Sequence, residues 1–120
     1  MLENLVGKPY KQFDENGNFI SCLEPLYLLY PELPKFKQHK GKNCYEFALA
    51  RLKENLVELS EENIQENDII VFYKFCRTLH IGIYLGKGQI IHCGLGGTYE
   101  IIRLKAYKDL VLGYYRCVKN

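Results

Sequence analysis

Five β-prone runs follow one another closely in the second half of the chain, and they constrain the fold more than any other feature of the sequence. Each run is rich in β-branched or aromatic residues, which favour strands, and the runs span residues 69–75, 79–85, 89–93, 99–104 and 110–118. The segments between them are short and contain glycine or polar residues, whereas a parallel crossover needs about a dozen residues or more. The sequence therefore predicts an antiparallel sheet of five or six strands.

The first half of the chain has mainly helical signals. A short helix is expected to begin near Cys22, where Pro25 is tolerated in the first turn, and to end at Pro31. A second helix is predicted over residues 44–55, because apolar residues recur there at helical spacing. We therefore expect one domain, residues 1–120, of the α+β class, in which N-terminal helices pack on the sheet.

Composition and charge argue against several classes of protein. The chain has 16 basic and 14 acidic residues, and the net charge of +2 gives no reason to expect nucleic acid as a partner. No apolar run approaches the roughly 18 residues of a membrane-spanning helix. The first ten residues lack the basic and apolar segments of a signal peptide, so we expect synthesis in the cytoplasm. The five cysteines include no C-x-x-C pair, which favours reduced thiols over a disulfide framework.

Two histidines are expected to come together in a hairpin formed by the second and third runs. If residues 86–88 form a three-residue loop, Gly82 lies opposite His92, and His80 lies diagonally across from His92 on the same face. Diagonal neighbours are about 7–8 Å apart, within reach of aromatic side chains, and Gly82 leaves space between the two rings. In this arrangement His92 can hydrogen-bond to His80 and fix its tautomer. The alternative is a pair of polar residues on a half-exposed sheet face.

Two of the five cysteines are candidates for a nucleophile that the histidines could activate. A helix N-terminus and a nearby imidazolium both lower the pKa of a thiol, and Cys22 and Cys44 each lie at the start of a predicted helix. Cys76, Cys93 and Cys117 lie in or beside strand-like runs and are expected to be small core residues. These local arguments do not separate Cys22 from Cys44.

The region around Cys22 resembles the start of the NlpC/P60 family of cysteine peptidases. The segment G-K-P-Y at residues 7–10 is similar to the G-x-P-Y segment that precedes the nucleophile in that family. Cys22 follows twelve residues after Tyr10, and Tyr30 matches the aromatic residue that often ends the nucleophile motif. The resemblance therefore favours Cys22 over Cys44 as the nucleophile.

The histidine half of the chain resembles the same family more specifically. Residues 66–72, E-N-D-I-I-V-F, are similar to the family's P-G-D-hydrophobic strand. Residues 80–88, H-I-G-I-Y-L-G-K-G, resemble its H-V-G-I-Y-L-G-x-G run, and His92 stands where the third catalytic residue is found. The closing G-Y-Y-R at residues 113–116 is most similar to the short form encoded in phage tail and gene-transfer modules.

The resemblance implies a papain-like fold and a set of functional residues. Cys22 would be the nucleophile, His80 the base, and His92 the residue that orients His80; Tyr10, Ser21 and Leu23 would contribute to the oxyanion and substrate-binding site. The implied substrate is an amide bond of a peptidoglycan stem peptide, which is hydrolysed through a thioester. No cofactor and no metal are implied, and the implied setting is a phage tail, with tail proteins as further partners.

Departures from the family pattern leave other classes open. Ser21 replaces the usual Asp, Leu23 the usual Ser, and Glu24 the usual Gly. A tail or assembly protein that keeps the fold without turnover, and a thiol acyltransferase or deamidase, are therefore alternatives. A zinc site is a further class, with ligands from Cys76, His80, His92 and Cys93. It fits poorly, because His92 and Cys93 are adjacent strand residues and should point to opposite faces.

Overall fold

The computed structural model describes residues 2–11, 13–20, 23–37, 50, 52–73, 79–94 and 96–117. Three cysteines, Cys22, Cys44 and Cys76, lie outside these residues, as does Ser21. The helix predicted over residues 44–55 also lies largely outside them.

An antiparallel sheet of six strands forms the centre of the molecule. Its strands are β3 (Leu56–Leu59), β4 (Ile69–Tyr73), β5 (Leu79–Gly86), β6 (Gln89–Cys93), β7 (Tyr99–Arg103) and β8 (Val111–Cys117). Their order across the sheet is β3-β8-β4-β5-β6-β7, and every neighbouring pair is antiparallel. The five predicted strands are confirmed with small shifts at their ends, and β3 is the sixth.

Helices are few and short in the described part of the chain, so the predicted layer of N-terminal helices is not reproduced there. Helix α1 covers six residues, Glu24–Leu29, with Pro25 in its first turn and a C-terminal cap at Tyr30, just before Pro31. Helix α2, Leu104–Tyr107, joins β7 to β8, and residues 53–55 form a 3-10 turn. None of these helices has the length and apolar character needed to cross a membrane.

A small two-stranded sheet precedes α1. Strand β1 (Asn18–Phe19) pairs with β2 (Phe36–Lys37) in antiparallel orientation. A turn that includes Asn16 precedes β1, and the Asp14 carboxylate accepts hydrogen bonds from the backbone N–H groups of Asn16 and Asn18, both at 2.9 Å. These bonds close the loop that leads to Ile20 and the segment of Cys22.

Alternation along the strands divides the buried residues into two apolar clusters, one on each face of the main sheet. The first cluster joins Ile69, Val71, Ile81, Ile91 and other strand residues to Leu26 and Tyr27 of α1 and to Leu23, which precedes this helix. The second cluster contains Ile70, Phe72 and Ile90, and α2 covers it with Leu104 and Tyr107. The sheet is therefore covered by α1 on one face and by α2 on the other.

The hairpin between β5 and β6 differs from the predicted one at its turn. Gly86 pairs with Gln89, so the loop has two residues, Lys87 and Gly88, rather than three. Both have positive φ, 52° and 76°, as a type I′ turn requires. An irregularity between Tyr84 and Gly86 then restores the predicted register, in which Tyr84 pairs with Ile90.

Candidate functional site

His80 and His92 lie in contact on the face of the sheet that carries the second cluster. Their ring centroids are 6.4 Å apart, with an interplanar angle of 81°. His80 is 8% exposed and His92 is 2% exposed, so both rings are buried polar groups. The hairpin argument thus predicted their proximity correctly.

Two aromatic side chains surround the histidine pair. Phe72 pairs with His80 across β4 and β5, and its ring lies 6.1 Å from that of His80 and 5.6 Å from that of His92. The Tyr107 ring of α2 lies 6.3 Å from the His92 ring and 5.8 Å from the Phe72 ring. Packing of this kind restricts ring rotation, so both imidazoles are held in defined orientations.

Glu100 is the residue of this site that the sequence analysis missed. Its Oε1 atom lies 2.8 Å from Nε2 of His92, and its side chain is 48% exposed. The register of β6 and β7 places Glu100 directly opposite His92, and Gly94 allows the carboxylate to fold inward, since a Cβ there would lie 2.7 Å from Cδ of Glu100. The pairing arithmetic used for β5 and β6, applied to the next hairpin, would have found it.

The contact with Glu100 determines which nitrogen of His92 carries a proton. A carboxylate accepts hydrogen bonds, so Nε2 of His92 must be the donor. The expected direct bond between the two histidines is not formed, because centroids 6.4 Å apart keep their ring nitrogens beyond the distance of about 3 Å that such a bond requires. His92 is therefore oriented by Glu100 and meets His80 through an edge-to-face ring contact.

Gly82 plays a different role from the predicted one. A Cβ at Gly82 would lie 2.4 Å from Cγ2 of Ile90 and 3.3 Å from Cε1 of Phe72. The space beside Gly82 is thus occupied by apolar neighbours and is not a gap between the two imidazoles. Its effect on the histidines is indirect, through the position of the Phe72 ring.

Tyr10 lies at the same end of the β6–β7 hairpin as Glu100. Its hydroxyl donates a hydrogen bond of 3.2 Å to the carbonyl of Gly94, and its ring packs edge-on against Tyr99 at 5.7 Å. The bridge between Pro9 and Thr98 fixes this segment beside the hairpin. In this structure the Tyr10 proton is directed to Gly94, so an oxyanion role would require the hydroxyl to exchange that acceptor.

The Leu23 side chain lies in the core. Its side chain is 0% exposed within the first cluster, and its backbone N–H donates to the carbonyl of Ile20 at 2.6 Å. The contribution of Leu23 to the oxyanion or substrate-binding site therefore stays a prediction, and it could not come from this buried side chain. Cys22 and Ser21, the other predicted residues of this segment, lie outside the described residues.

The sheet separates the Leu23 side chain from the histidines. Leu23 packs on the α1 face, whereas His80 and His92 contact Phe72 of the second cluster on the opposite face. This geometry makes the pairing of Cys22 with His80 the decisive point for experiment.

Glu24 has a defined partner in spite of its departure from the family pattern. Its Oε2 atom accepts a hydrogen bond of 2.8 Å from the hydroxyl of Tyr99. Glu24 is also the first residue of α1, where a carboxylate is favoured by the helix dipole. The residue thus links the start of α1 to β7.

A cleft lies beside the first residue of α1. Its volume is about 330 Å³, and its lining includes Ile20 and Glu24, which lie on either side of residues 21–22 in the sequence. Pro9, Lys11 and Asp14 complete much of its wall. The cleft gives a ligand access to the start of α1.

The described residues contain no group of three or more histidine, cysteine or acidic side chains arranged to hold a metal ion. His92 and Cys93 point to opposite faces as expected, since Cys93 belongs to the first cluster and His92 contacts the second. Cys93 is 1% exposed, and Cys117 packs partly buried against the same cluster, so both act as core residues.

Solved structures include chains that are similar to this one. No protein-family model matches the chain, and no curated protein matches it significantly. A crystal structure from Staphylococcus aureus, described as similar to a lipoprotein of the NLP/P60 family, is 20% identical with a TM-score of 0.47. The match covers 95% of this chain but only 45% of that protein.

Proposed function

We propose that this chain is a cysteine hydrolase of the NlpC/P60 type, which cleaves amide bonds of peptidoglycan stem peptides through a thioester. Two kinds of support come from the chain itself. The motifs at residues 7–10 and 80–88 resemble those of the family, and His80 of the second motif is buried next to His92.

The contacts of His92 with His80 and with Glu100 are the observation that supports this proposal most. A catalytic imidazole needs a fixed tautomer and a fixed orientation. Glu100 supplies the first for His92 at 2.8 Å, and the aromatic contacts of Phe72 supply the second for both rings.

The proposed reaction transfers an acyl group in two steps. His80 takes the thiol proton of Cys22, and the thiolate attacks the amide carbonyl carbon. The C–N bond then breaks, the leaving amine takes the proton from His80, and a thioester remains on Cys22. Water, deprotonated by His80, attacks the thioester, so that the carboxylic acid leaves and the thiol is restored.

Charge on the carbonyl oxygen needs donors during this reaction. The backbone N–H of Cys22 is the proposed first donor, with Ser21 beside it and the Tyr10 hydroxyl as a second donor after release from Gly94. A single donor of this kind is worth about 10²–10³ in kcat in well-studied enzymes. The proposed setting of the reaction is a phage tail, as the resemblance of residues 113–116 implies.

Thiol labelling tests the proposed nucleophile directly. The native protein is treated with iodoacetamide near neutral pH, and the labelled cysteine is identified by peptide mapping. We expect selective labelling of Cys22, lost in His80→Ala and retained in His39→Ala, because only a thiol next to the base is ionised at this pH. His39 is a suitable control, since it is the remaining histidine of the chain.

Other labelling patterns would contradict particular parts of this proposal. Preferential labelling of Cys44 would overturn the assignment of Cys22, and uniformly slow labelling of all five cysteines would favour a tail or assembly protein without turnover. Labelling of Cys22 that is unchanged in His80→Ala would refute the proposed base.

The substrate is tested with purified peptidoglycan and the Cys22→Ser variant as control. Hydrolysis should release new amino groups from the peptidoglycan, and the Cys22→Ser variant should release none. Release of ammonia would indicate a deamidase instead. Transfer of the acyl group to an added amine in preference to water would indicate an acyltransferase.

A further inference from the structure

A basic cleft lies at the end of the β6–β7 hairpin that is remote from Glu100. Its volume is about 620 Å³. The polar residues that line it are Glu61, Lys87, Gln89, Arg103, Lys105 and Lys108. Gln89 stands three residues before His92 on β6, about 10 Å along the strand, so the cleft is a separate feature from the histidine site.

The cleft is built on well-anchored backbone. Gln89 and Arg103 are directly paired across β6 and β7. Lys87 occupies the type I′ turn, and the backbone N–H of Leu104 donates to the carbonyl of Gly88 at 2.9 Å, which attaches the start of α2 to that turn. The cationic side chains therefore extend from fixed positions around one opening.

The only carboxylate in the lining is already neutralised. Glu61 forms an ion pair of 3.0 Å with Lys108 and accepts a hydrogen bond of 3.2 Å from the Tyr114 hydroxyl. Lys87, Arg103 and Lys105 form no ion pair with any carboxylate in the part of the chain that the structure describes. Three uncompensated positive charges thus share one cleft in a chain whose net charge is only +2.

This group of positive charges favours an anionic ligand. Like charges around a cleft repel each other, and an anion of high charge relieves this repulsion. The planar guanidinium of Arg103 suits two oxygens of one phosphate, whereas the two lysines act as point charges that can meet a second phosphate. From this we infer that the cleft is a binding site for a ligand that carries two or more phosphate groups.

Titration with inorganic pyrophosphate tests this site without reference to catalysis. Calorimetry on the full chain at low ionic strength should detect binding, which weakens as salt is added because exposed charges are screened. Arg103→Gln should weaken binding about tenfold, the effect expected from loss of one charged hydrogen-bonding partner. Lys8→Gln removes the same charge from an exposed residue outside the cleft and should leave binding unchanged.

A second arm distinguishes the source of the phosphate groups. Vesicles of phosphatidylcholine with and without cardiolipin, a lipid that carries two phosphate groups, are tested for binding in sedimentation assays with the same variants. Binding of pyrophosphate indicates a free phosphorylated ligand, and binding of anionic vesicles alone indicates a lipid headgroup. Absence of binding in both arms, or equal weakening by Arg103→Gln and Lys8→Gln, would overturn the inference.

Discussion

At the scale of single residues, Glu100 changes the way in which the histidine site is understood. Its carboxylate accepts a hydrogen bond from Nε2–H of His92, so His92 has a defined tautomer. Glu100 is half exposed, whereas His92 is buried. The site therefore joins a buried imidazole to solvent through one carboxylate.

Glu100→Gln should lower kcat of the proposed hydrolysis about tenfold with little change in KM. The neutral amide oxygen can still accept a hydrogen bond from Nε2–H of His92, but it lacks the negative charge that strengthens this bond. Stability should change by no more than about 0.5 kcal/mol, because the side chain is half exposed. Peptidoglycan hydrolysis and denaturant unfolding measure the two effects.

A spectroscopic measurement separates a positioning role from a structural one. Nitrogen NMR of the His92 ring should show a proton at Nε2 in the wild type and a mixture of tautomers in Glu100→Ala. Glu62→Gln, at an exposed position, is the control for loss of a surface charge. If the His92 tautomer is the same in Glu100→Ala and in the wild type, Glu100 does not position the ring.

At the scale of elements, the β5–β6 hairpin depends on the close approach of Gly82 to its neighbours. We expect Gly82→Ala to reduce the free energy of unfolding by about 1–3 kcal/mol, because a Cβ would overlap Cγ2 of Ile90 at 2.4 Å. Gly96→Ala is the control, since no atom lies within 4 Å of a Cβ there. Equal stability of the two variants in urea denaturation would contradict the packing described for β5.

The start of β4 is fixed to β8 by a buried carboxylate. Asp68, 2% exposed, accepts two hydrogen bonds from the Arg116 guanidinium, at 2.9 Å and 2.8 Å, and one of 2.7 Å from the backbone N–H of Gln65. The same guanidinium donates to the carbonyl of Asn63 at 3.0 Å. One ion pair thus holds the loop before β4 against the neighbouring strand.

Asp68→Asn should destabilise the protein by about 2 kcal/mol. The substitution removes one charge-assisted acceptor from a site where Arg116 has no comparable replacement among its described neighbours. Asp109→Asn makes the same chemical change at an exposed position and should alter stability by no more than about 0.5 kcal/mol. Thermal unfolding of both variants measures the difference, and equal melting temperatures would show that the pair contributes little.

At the scale of the whole molecule, burial of tyrosines links folding to alkaline pH. Burial and the nearby Asp14 raise the pKa of Tyr27 to about 12, and burial and Glu61 raise the pKa of Tyr114 to about 12. The ordinary value in an unfolded chain is about 10. Since the folded state favours the protonated phenols, their contribution to stability is complete below pH 10 and is lost as the pH rises towards 12.

We therefore expect the free energy of unfolding to fall between pH 10 and pH 12, and to fall less steeply in Tyr27→Phe. The variant loses the hydrogen bond from the Tyr27 hydroxyl to the carbonyl of Pro34, which costs about 1 kcal/mol at neutral pH. Urea denaturation at a series of pH values measures both effects. An identical pH dependence in the variant would show that Tyr27 does not contribute to this linkage.

Much of the sheet could be predicted from the sequence, because its signals are local. Strand propensity and short turns located the strands. Because side chains along a strand alternate between the two faces of the sheet, His80 and His92 were predicted on the same face. The error of one residue in the β5–β6 turn did not change their proximity, since the irregularity at Leu85 compensated for it. Alternation would also have identified Glu100, had the β6–β7 hairpin been paired in the same way.

The sequence by itself determined the antiparallel strands and the neighbouring histidines, since both follow from interactions within adjacent hairpins. Only the tertiary structure decided that Leu23 belongs to the core, that Arg116 binds Asp68, and that Glu61 and Lys108 meet beside the basic cleft. These contacts join segments far apart in the chain, and they depend on the strand order β3-β8-β4. The physical reason is that hairpin pairing is fixed by local geometry, whereas contacts between distant segments are fixed by how the whole sheet packs.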